Sequence, residues 1–133
     1  MSQIVYKTGV TPAAELIVEV YDSAGLARPT QDLERIANMY ANSNLVATAW
    51  DGDRLVGISR SITDFYWVCY LSDLAVRSEY QRAGIGKQLV QVTKETVGEQ
   101  TMLLLLSVPG ALDYYPRLGM EKVDYGFLIK RSY

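Results

Sequence analysis

The sequence predicts one mixed α/β domain spanning residues 1–133, with elements in the order β-α-α-β-β-β-α-β-α-β. Three observations carry this prediction. Apolar residues recur at helical three-and-four spacing in the first third, then change to strand-like runs from Leu45 onward. Two of those runs flank Asp51-Gly52-Asp53, a short-range hairpin signal. A nearly continuous apolar run, Tyr66 to Val76, leads into a glycine-containing turn and a further amphipathic segment, as a covered central strand feeding a helix would.

The elements follow in order. Ile4-Val5-Tyr6-Lys7 reads as a short first strand. Thr11-Pro12 then supplies a cap and a proline at a helix start. Ala13, Leu16, Ile17, Val20 and Tyr21 form one helical stripe to about Ser23, ended by Gly25. A second helix starts near Thr30 or Gln31, carries Leu33, Ile36, Ala37 and Tyr40 on one face, and breaks at Asn42-Ser43-Asn44. Leu45–Trp50, Leu55–Thr63 and Tyr66–Val76 form an antiparallel meander. Gly84–Val97 is a third helix, with Ile85, Leu89, Val92 and Thr96 on one stripe and Gly98 at its end. Met102–Leu106 reads as a buried strand, Ala111–Leu118 as a short fourth helix stopped by Gly119, and Val123–Lys130 as a last strand.

Composition narrows the function. With 49% hydrophobic and 21% charged residues the chain is that of a folded globular protein, and no apolar run approaches the ~20 residues that cross a bilayer. Met1-Ser2-Gln3-Ile4 lacks the pattern of a secretory signal, and the single Cys69 has no intramolecular disulfide partner, so a cytoplasmic location is expected. A net charge of −2 argues against nucleic acid as a partner. Locally, Arg77, Arg82 and Lys87 stand against Glu79 alone, whereas Glu15, Glu19, Asp22, Asp32 and Glu34 stand against Arg28. Such a division suits an anionic cofactor at one place and a cationic acceptor at another, or two solvated faces of opposite sign.

The chemistry concentrates in Leu74 to Lys87: a strand, a turn, and two glycines opening a helix. The first helical N–H groups lack intrahelical partners, the helix dipole adds positive potential, and glycine admits a phosphate close to the backbone. A P-loop is excluded because Gln81 and Gln88 stand where it needs glycine and Ser or Thr. A dinucleotide fingerprint fits poorly, since Leu89 replaces its third small residue.

The remaining pattern, Gln-x-x-Gly-x-Gly at Gln81, Gly84 and Gly86, resembles the pyrophosphate-binding turn of the GNAT superfamily of N-acetyltransferases. Leu74-Ala75-Val76 before it, Tyr80 beside Gln81, and Ile85 after it extend the likeness. So does Ala111 to Met120, which is similar to that family's alanine, tyrosine, Leu-Gly-Phe signature. The resemblance is detailed over Leu71 to Met120. Departures are Ser78 for a frequent proline, Arg82 for a frequent glycine, Val108 for an asparagine that contacts the cofactor, and Met120 for phenylalanine.

The resemblance implies a GNAT-like fold whose central sheet splays near Leu71 to Asp73. It implies acetyl-CoA as cosubstrate, without metal. Leu74, Ala75, Val76, Gln81, Arg82, Ala83, Gly84, Ile85, Gly86, Lys87 and Tyr115 would bind it, with Leu74 and Val76 offering backbone groups to pantetheine and the thioester oxygen. Tyr115, selected over Tyr114 by its spacing from Ala111 and to Leu118-Gly119, would be the general acid that protonates the departing thiolate. Without histidine, a general base must be a carboxylate or water. Asp73 and Asp64 are the carboxylate candidates, and Asp73 equally suits a structural hydrogen bond. Tyr66, Trp67 and Tyr70 line either an acceptor pocket or the sheet surface, and Cys69 reads as packing. The expected reaction is direct attack of a small amine or protein amine in a ternary complex. A catalytically silent acyl-CoA-binding or regulatory module is the alternative, and a homodimer enters on the same resemblance, with an open sheet edge completed by a second subunit.

Overall fold

The computed structural model describes residues 3–133; Met1 and Ser2, which belong to the start read above for a signal, lie outside the described residues. Five strands form one sheet in chain order. They are β1 (Ile4–Thr8), β2 (Leu45–Asp51), β3 (Arg54–Thr63), β4 (Val68–Val76) and β5 (Met102–Leu104). Neighbours from β1 to β4 pair antiparallel, and β5 runs parallel to β4. Helices α1 (Ala14–Ala24) and α2 (Leu33–Ala41) precede the meander, and α3 (Ile85–Val97) joins β4 to β5. Among the described residues no helix is long and apolar enough to cross a membrane.

The sheet has an apolar layer on each face. On one, Ile17, Val20 and Tyr21 of α1 and Ile36 and Tyr40 of α2 pack with Val46, Leu55, Ile58 and Ala75. On the other, Ile85 and Leu89 of α3 pack with Ala47, Ala49 and Val56. Two bulges reconcile this with strand alternation. Ala49 pairs Gly57 while Trp50 pairs Leu55, so Val56 is an extra residue in β3. That is why Leu55 and Ile58 reach the same face although three positions apart. In β4 the extra residue is Ser72, because Arg60 pairs Asp73 while Ser61 pairs Leu71. Cys69 therefore packs with Val97 of α3, whereas Asp73, four residues on, points to α1.

The N-terminal elements start slightly later than their sequence signals. Ala13, rather than Thr11, is the N-cap of α1, and Asp32 caps α2 by accepting from the Arg35 N–H at 3.0 Å. The C-terminal expectations need correction. Met102–Leu106 is a strand only to Leu104, Met102 and Leu106 are exposed, and Leu103, Leu104 and Leu105 are only partly covered. The expected helix Ala111–Leu118 is replaced by 3-10 turns at Pro109–Ala111 and Tyr115–Leu118. Pro116 cannot donate to a carbonyl one turn earlier, and eight residues are too few to sustain a helix against that loss. The expected strand Val123–Lys130 is not paired: residues 121–133 are exposed throughout, with no strand beside them.

Candidate active site

The strand-to-helix junction is pinned from several sides. The Arg77 N–H donates to the Val56 carbonyl at 2.8 Å, which turns Arg77 toward β3. Because backbone groups alternate along a strand, Val76 and Leu74 face away from β3. The Val76 carbonyl accepts from the Gln81 side-chain amide at 3.0 Å, consistent with that direction. β5 pairs β4 only at Val68, Cys69 and Tyr70, so beyond Leu71 the second edge of β4 has no strand beside it. An open strip of backbone thus leads from Ser72 to the glycine turn.

The turn itself is held by side chains. The Ser78 N–H donates to Ser23 Oγ at 2.9 Å, Arg54 pairs Glu79 at 2.7 Å, and the Tyr80 hydroxyl donates to Asp51 at 2.5 Å. Arg82 and Gly84 both adopt left-handed backbone, at φ 66° and 81°. Arg82 occupies the position where the resemblance expected glycine, and its φ gives the physical reason for that preference. The first rung of α3 runs from the Gln88 N–H to the Gly84 carbonyl. The N–H groups of Ile85, Gly86 and Lys87 precede that rung and have no intrahelical partner. No side chain caps this end, and a β-carbon built on Gly84 would meet nothing within 4 Å. Exposed Arg82 and Lys87 flank it. These residues fit a phosphate-bearing group: free donors, positive potential and room.

Tyr114 and Tyr115 stand beside this junction. A β-carbon on Gly86 would lie 2.7 Å from the Tyr114 hydroxyl and 3.9 Å from Leu74 Cδ2. Tyr114 therefore overlies the first turn of α3, and Tyr115 meets its ring edge-on at 5.1 Å between centroids. Burial raises both phenol pKa values, and Tyr114 raises that of Tyr115 further, so both hydroxyls hold their protons at neutral pH.

Asp73 sits at the centre of a buried polar cluster. Oδ1 accepts from Arg28 Nε at 2.7 Å and Ser72 Oγ at 3.2 Å; Oδ2 accepts from Arg60 Nε at 2.7 Å and the Tyr21 hydroxyl at 2.6 Å. The Tyr21 and Tyr40 hydroxyls share a hydrogen bond of 2.5 Å. Burial opposes ionisation of Asp73, but the bonds from Arg60 and Tyr21 and the charges of both arginines outweigh it and lower its pKa. Burial first, then the neighbouring Tyr40 and the same carboxylate, raise the pKa of Tyr21. About four lone-pair sites serve a carboxylate, and four donors occupy them here. Sequence reasoning missed Tyr21, Arg28, Tyr40 and Arg60 as partners. Arg60, a cation inside an apolar strand run, was the one available signal.

Asp64 is exposed, and its Oδ1 accepts from the N–H groups of Tyr66, Trp67 and Val68 at 2.8–3.0 Å, which lowers its pKa. It closes the β3–β4 turn. Tyr66 and Trp67 are largely exposed at that turn, and Cys69 is buried, with its thiol pKa raised by burial. The expected acidic third is partly committed to structure: Asp32 caps α2 and Glu19 pairs Arg77 at 3.4 Å.

The structure is thus a mixed α/β protein in which β4 and β5 pair over three residues only and β4 then runs on into an uncapped helix N-terminus. The sequence model described as acetyltransferase (GNAT) family matches residues 13–120, and the chain belongs to that family. It is 27% identical over 130 residues to the chloroplastic GCN5-related N-acetyltransferase 2 of Arabidopsis thaliana, covering 78% of this chain and 50% of that protein. The chain spans about half the length of the curated relatives it matches. Its fold matches a probable acetyltransferase from meticillin-resistant Staphylococcus aureus with TM-score 0.79 and 24% identity, covering 98% of this chain and 100% of that one. An aminoglycoside N-acetyltransferase solved in complex with CoA superposes with TM-score 0.74 and 14% identity, covering 99% and 97%.

Proposed function

We propose that this chain moves an acyl group, acetyl in the first instance, from acyl-CoA to a primary amine by direct attack in a ternary complex. The observation that carries this reading is the continuity between the open edge of β4 at Leu74 and Val76 and the unpartnered N–H groups of α3. When bound, the cosubstrate supplies an activated thioester. Leu74 and Val76 present backbone groups to its arm, while Ala75, between them, turns its own toward β3. Gln81 to Lys87 receive the phosphates: Gln81 ties the turn to β4, Arg82 and Lys87 add charge, and Ala83 and Gly84 leave the approach clear. Ile85 anchors the helix in the core and Gly86 keeps its first turn low. Tyr115, holding its proton, donates it to the departing thiolate. Tyr114 is the neighbour against which that role is tested, because its hydroxyl overlies Gly86.

Asp73 serves this site by position. With four donors on its carboxylate and a lowered pKa, it fixes the Ser72 bulge rather than taking a proton from the amine. Proton removal then falls to water. That engagement of Asp73 is also what favours a second reading, an acyl-CoA-binding module without turnover. The acceptor is an amine of either a small molecule or a protein.

Calorimetric titration with acetyl-CoA tests the reading, comparing wild type with Gly84→Asp. The substituted residue meets no neighbour but sits at φ 81° and places a carboxylate at the phosphate site. Binding in wild type that is lost in folded Gly84→Asp supports the cofactor. No binding to folded wild type overturns it. An amine screen with wild type, Tyr114→Phe and Tyr115→Phe then separates transfer from silent binding: loss of turnover in Tyr115→Phe, by roughly 100-fold or more with affinity retained, identifies the acid.

A further inference from the structure

We propose that Arg28 holds a carboxylate of the acceptor, so that the amine acylated here belongs to a small amino acid; this rests on the acyl-transfer reading above. Arg28 lies in the loop between α1 and α2, and its guanidinium is tied down on three sides. Nε donates to Asp73 Oδ1 at 2.7 Å, Nη1 to the Ala27 carbonyl at 2.7 Å and Nη2 to the Ser72 carbonyl at 2.9 Å. A guanidinium carries five N–H donors. Among the described residues, one donor on each terminal nitrogen is therefore left over. Paired donors on a fixed planar fork match a carboxylate. The Arg28 side chain is 27% exposed, against 10% for Arg60 and 0% for Asp73, so it is the member of this cluster that a ligand reaches.

The cluster also carries surplus charge. Among the described residues Asp73 is the one carboxylate paired with Arg28 or Arg60, which leaves two cations against one anion. Their other partners, Ser43, the Ser72 hydroxyl and two backbone carbonyls, are neutral. Partial burial strengthens the attraction of that surplus for an anion. Placement links it to transfer. The Ser72 carbonyl that Arg28 grips opens the free edge of β4, and Leu74 is two residues on, about 7 Å along the strand. With that edge taken by the cosubstrate's arm, an acceptor arrives from a face of the sheet. Helix α3 covers one face, and Arg28 stands on the other, to which the Asp73 side chain points. A carboxylate on Arg28 sets its own amine beside the strip only when a few bonds join the two. That condition is met by a free amino acid and not by a lysine within a protein.

The Arg28 Nε–H signal in proton–nitrogen spectra, assigned through its own side chain, tests the proposal without turnover. Wild type is titrated, with and without CoA, with the common amino acids and with the decarboxylated amine of each. A saturable shift with at least one amino acid, absent with its decarboxylated amine, is expected. No shift with any amino acid, or an equal shift with the amines, overturns the proposal. In assays of thiol release, Arg28→Lys is expected to reduce the preference for that amino acid over its decarboxylated amine by roughly 10-fold or more. A merely structural latch would lower both rates alike, and that result also overturns it. So does a preference for succinyl-CoA over acetyl-CoA that Arg28→Lys abolishes without changing the choice of amine, which would assign the carboxylate to the acyl group. Calorimetry with acetyl-CoA keeps the two readings apart: a shift with amino acids in a protein that binds no acetyl-CoA supports the carboxylate site and removes the transfer. Should Arg28→Lys not fold, the wild-type spectra decide alone.

Discussion

At the residue scale, the informative group is Asp73. One carboxylate stands between two guanidiniums, so removing its charge leaves Arg28 and Arg60 facing each other in a buried site. Asp73→Asn is expected to cost about 3–5 kcal/mol, the range for breaking a buried pair at one partner, measured by urea unfolding. The pH dependence follows from the direction of its shift. A carboxylate whose folded pKa is depressed contributes stability that is complete above the unfolded value of about 3.9 and is lost as pH falls through the lower folded value. Acid unfolding of wild type should therefore show a component below pH ~4 that Asp73→Asn lacks. Arg82 makes a different case. Its left-handed backbone is strained, so Arg82→Gly should leave stability within about 1 kcal/mol, strain relief offsetting the entropy of glycine. The same variant should weaken acetyl-CoA binding through the lost cation, and calorimetry beside urea unfolding separates the two effects.

At the scale of elements, the site depends on how closely α3 lies on the sheet. Gly57 in β3 makes that approach possible: a β-carbon there would lie 3.0 Å from Ile85 Cγ2 and 3.1 Å from Leu89 Cδ1. Gly57→Ala is expected to destabilise by roughly 1–3 kcal/mol by overpacking, and to move the first turn of α3 with it. Gly86 links α3 to the C-terminal block in the same way. Gly86→Ala drives a methyl into the Tyr114 hydroxyl, whereas the pair Gly86→Ala with Tyr114→Phe removes the closest atom. A double-mutant cycle on unfolding should show positive coupling, with the second substitution recovering part of the first loss. Additivity would show that Tyr114 does not overlie the turn.

At the scale of the molecule, two layers around one sheet account for residues 4–104, and the segment after β5 is held mainly by turns. If that segment is completed by a second copy, folding and association are one equilibrium, and the urea midpoint should rise with protein concentration. A midpoint independent of concentration would show that the apolar side chains of residues 121–133 contribute nothing across copies.

Sequence alone determined the order of elements through β5, because apolar periodicity and the Asp-Gly hairpin are local signals that tertiary packing here reinforces. It also determined the glycine turn, since helix-terminal donors and glycine spacing are properties of a short contiguous stretch. The bulge at Val56 was beyond it, and the one at Ser72 was expected near Leu71 to Asp73 only through the family resemblance: an extra residue flips every later side chain to the other face, and only strand pairing shows where that happens. Asp73 therefore reaches Tyr21 and Arg28, far from it in sequence, rather than the face that alternation from Cys69 assigns it. The last strand was equally undecidable. Val123–Lys130 carries the pattern of a strand, but a strand exists only where an edge is presented to it, and that is settled by the tertiary structure.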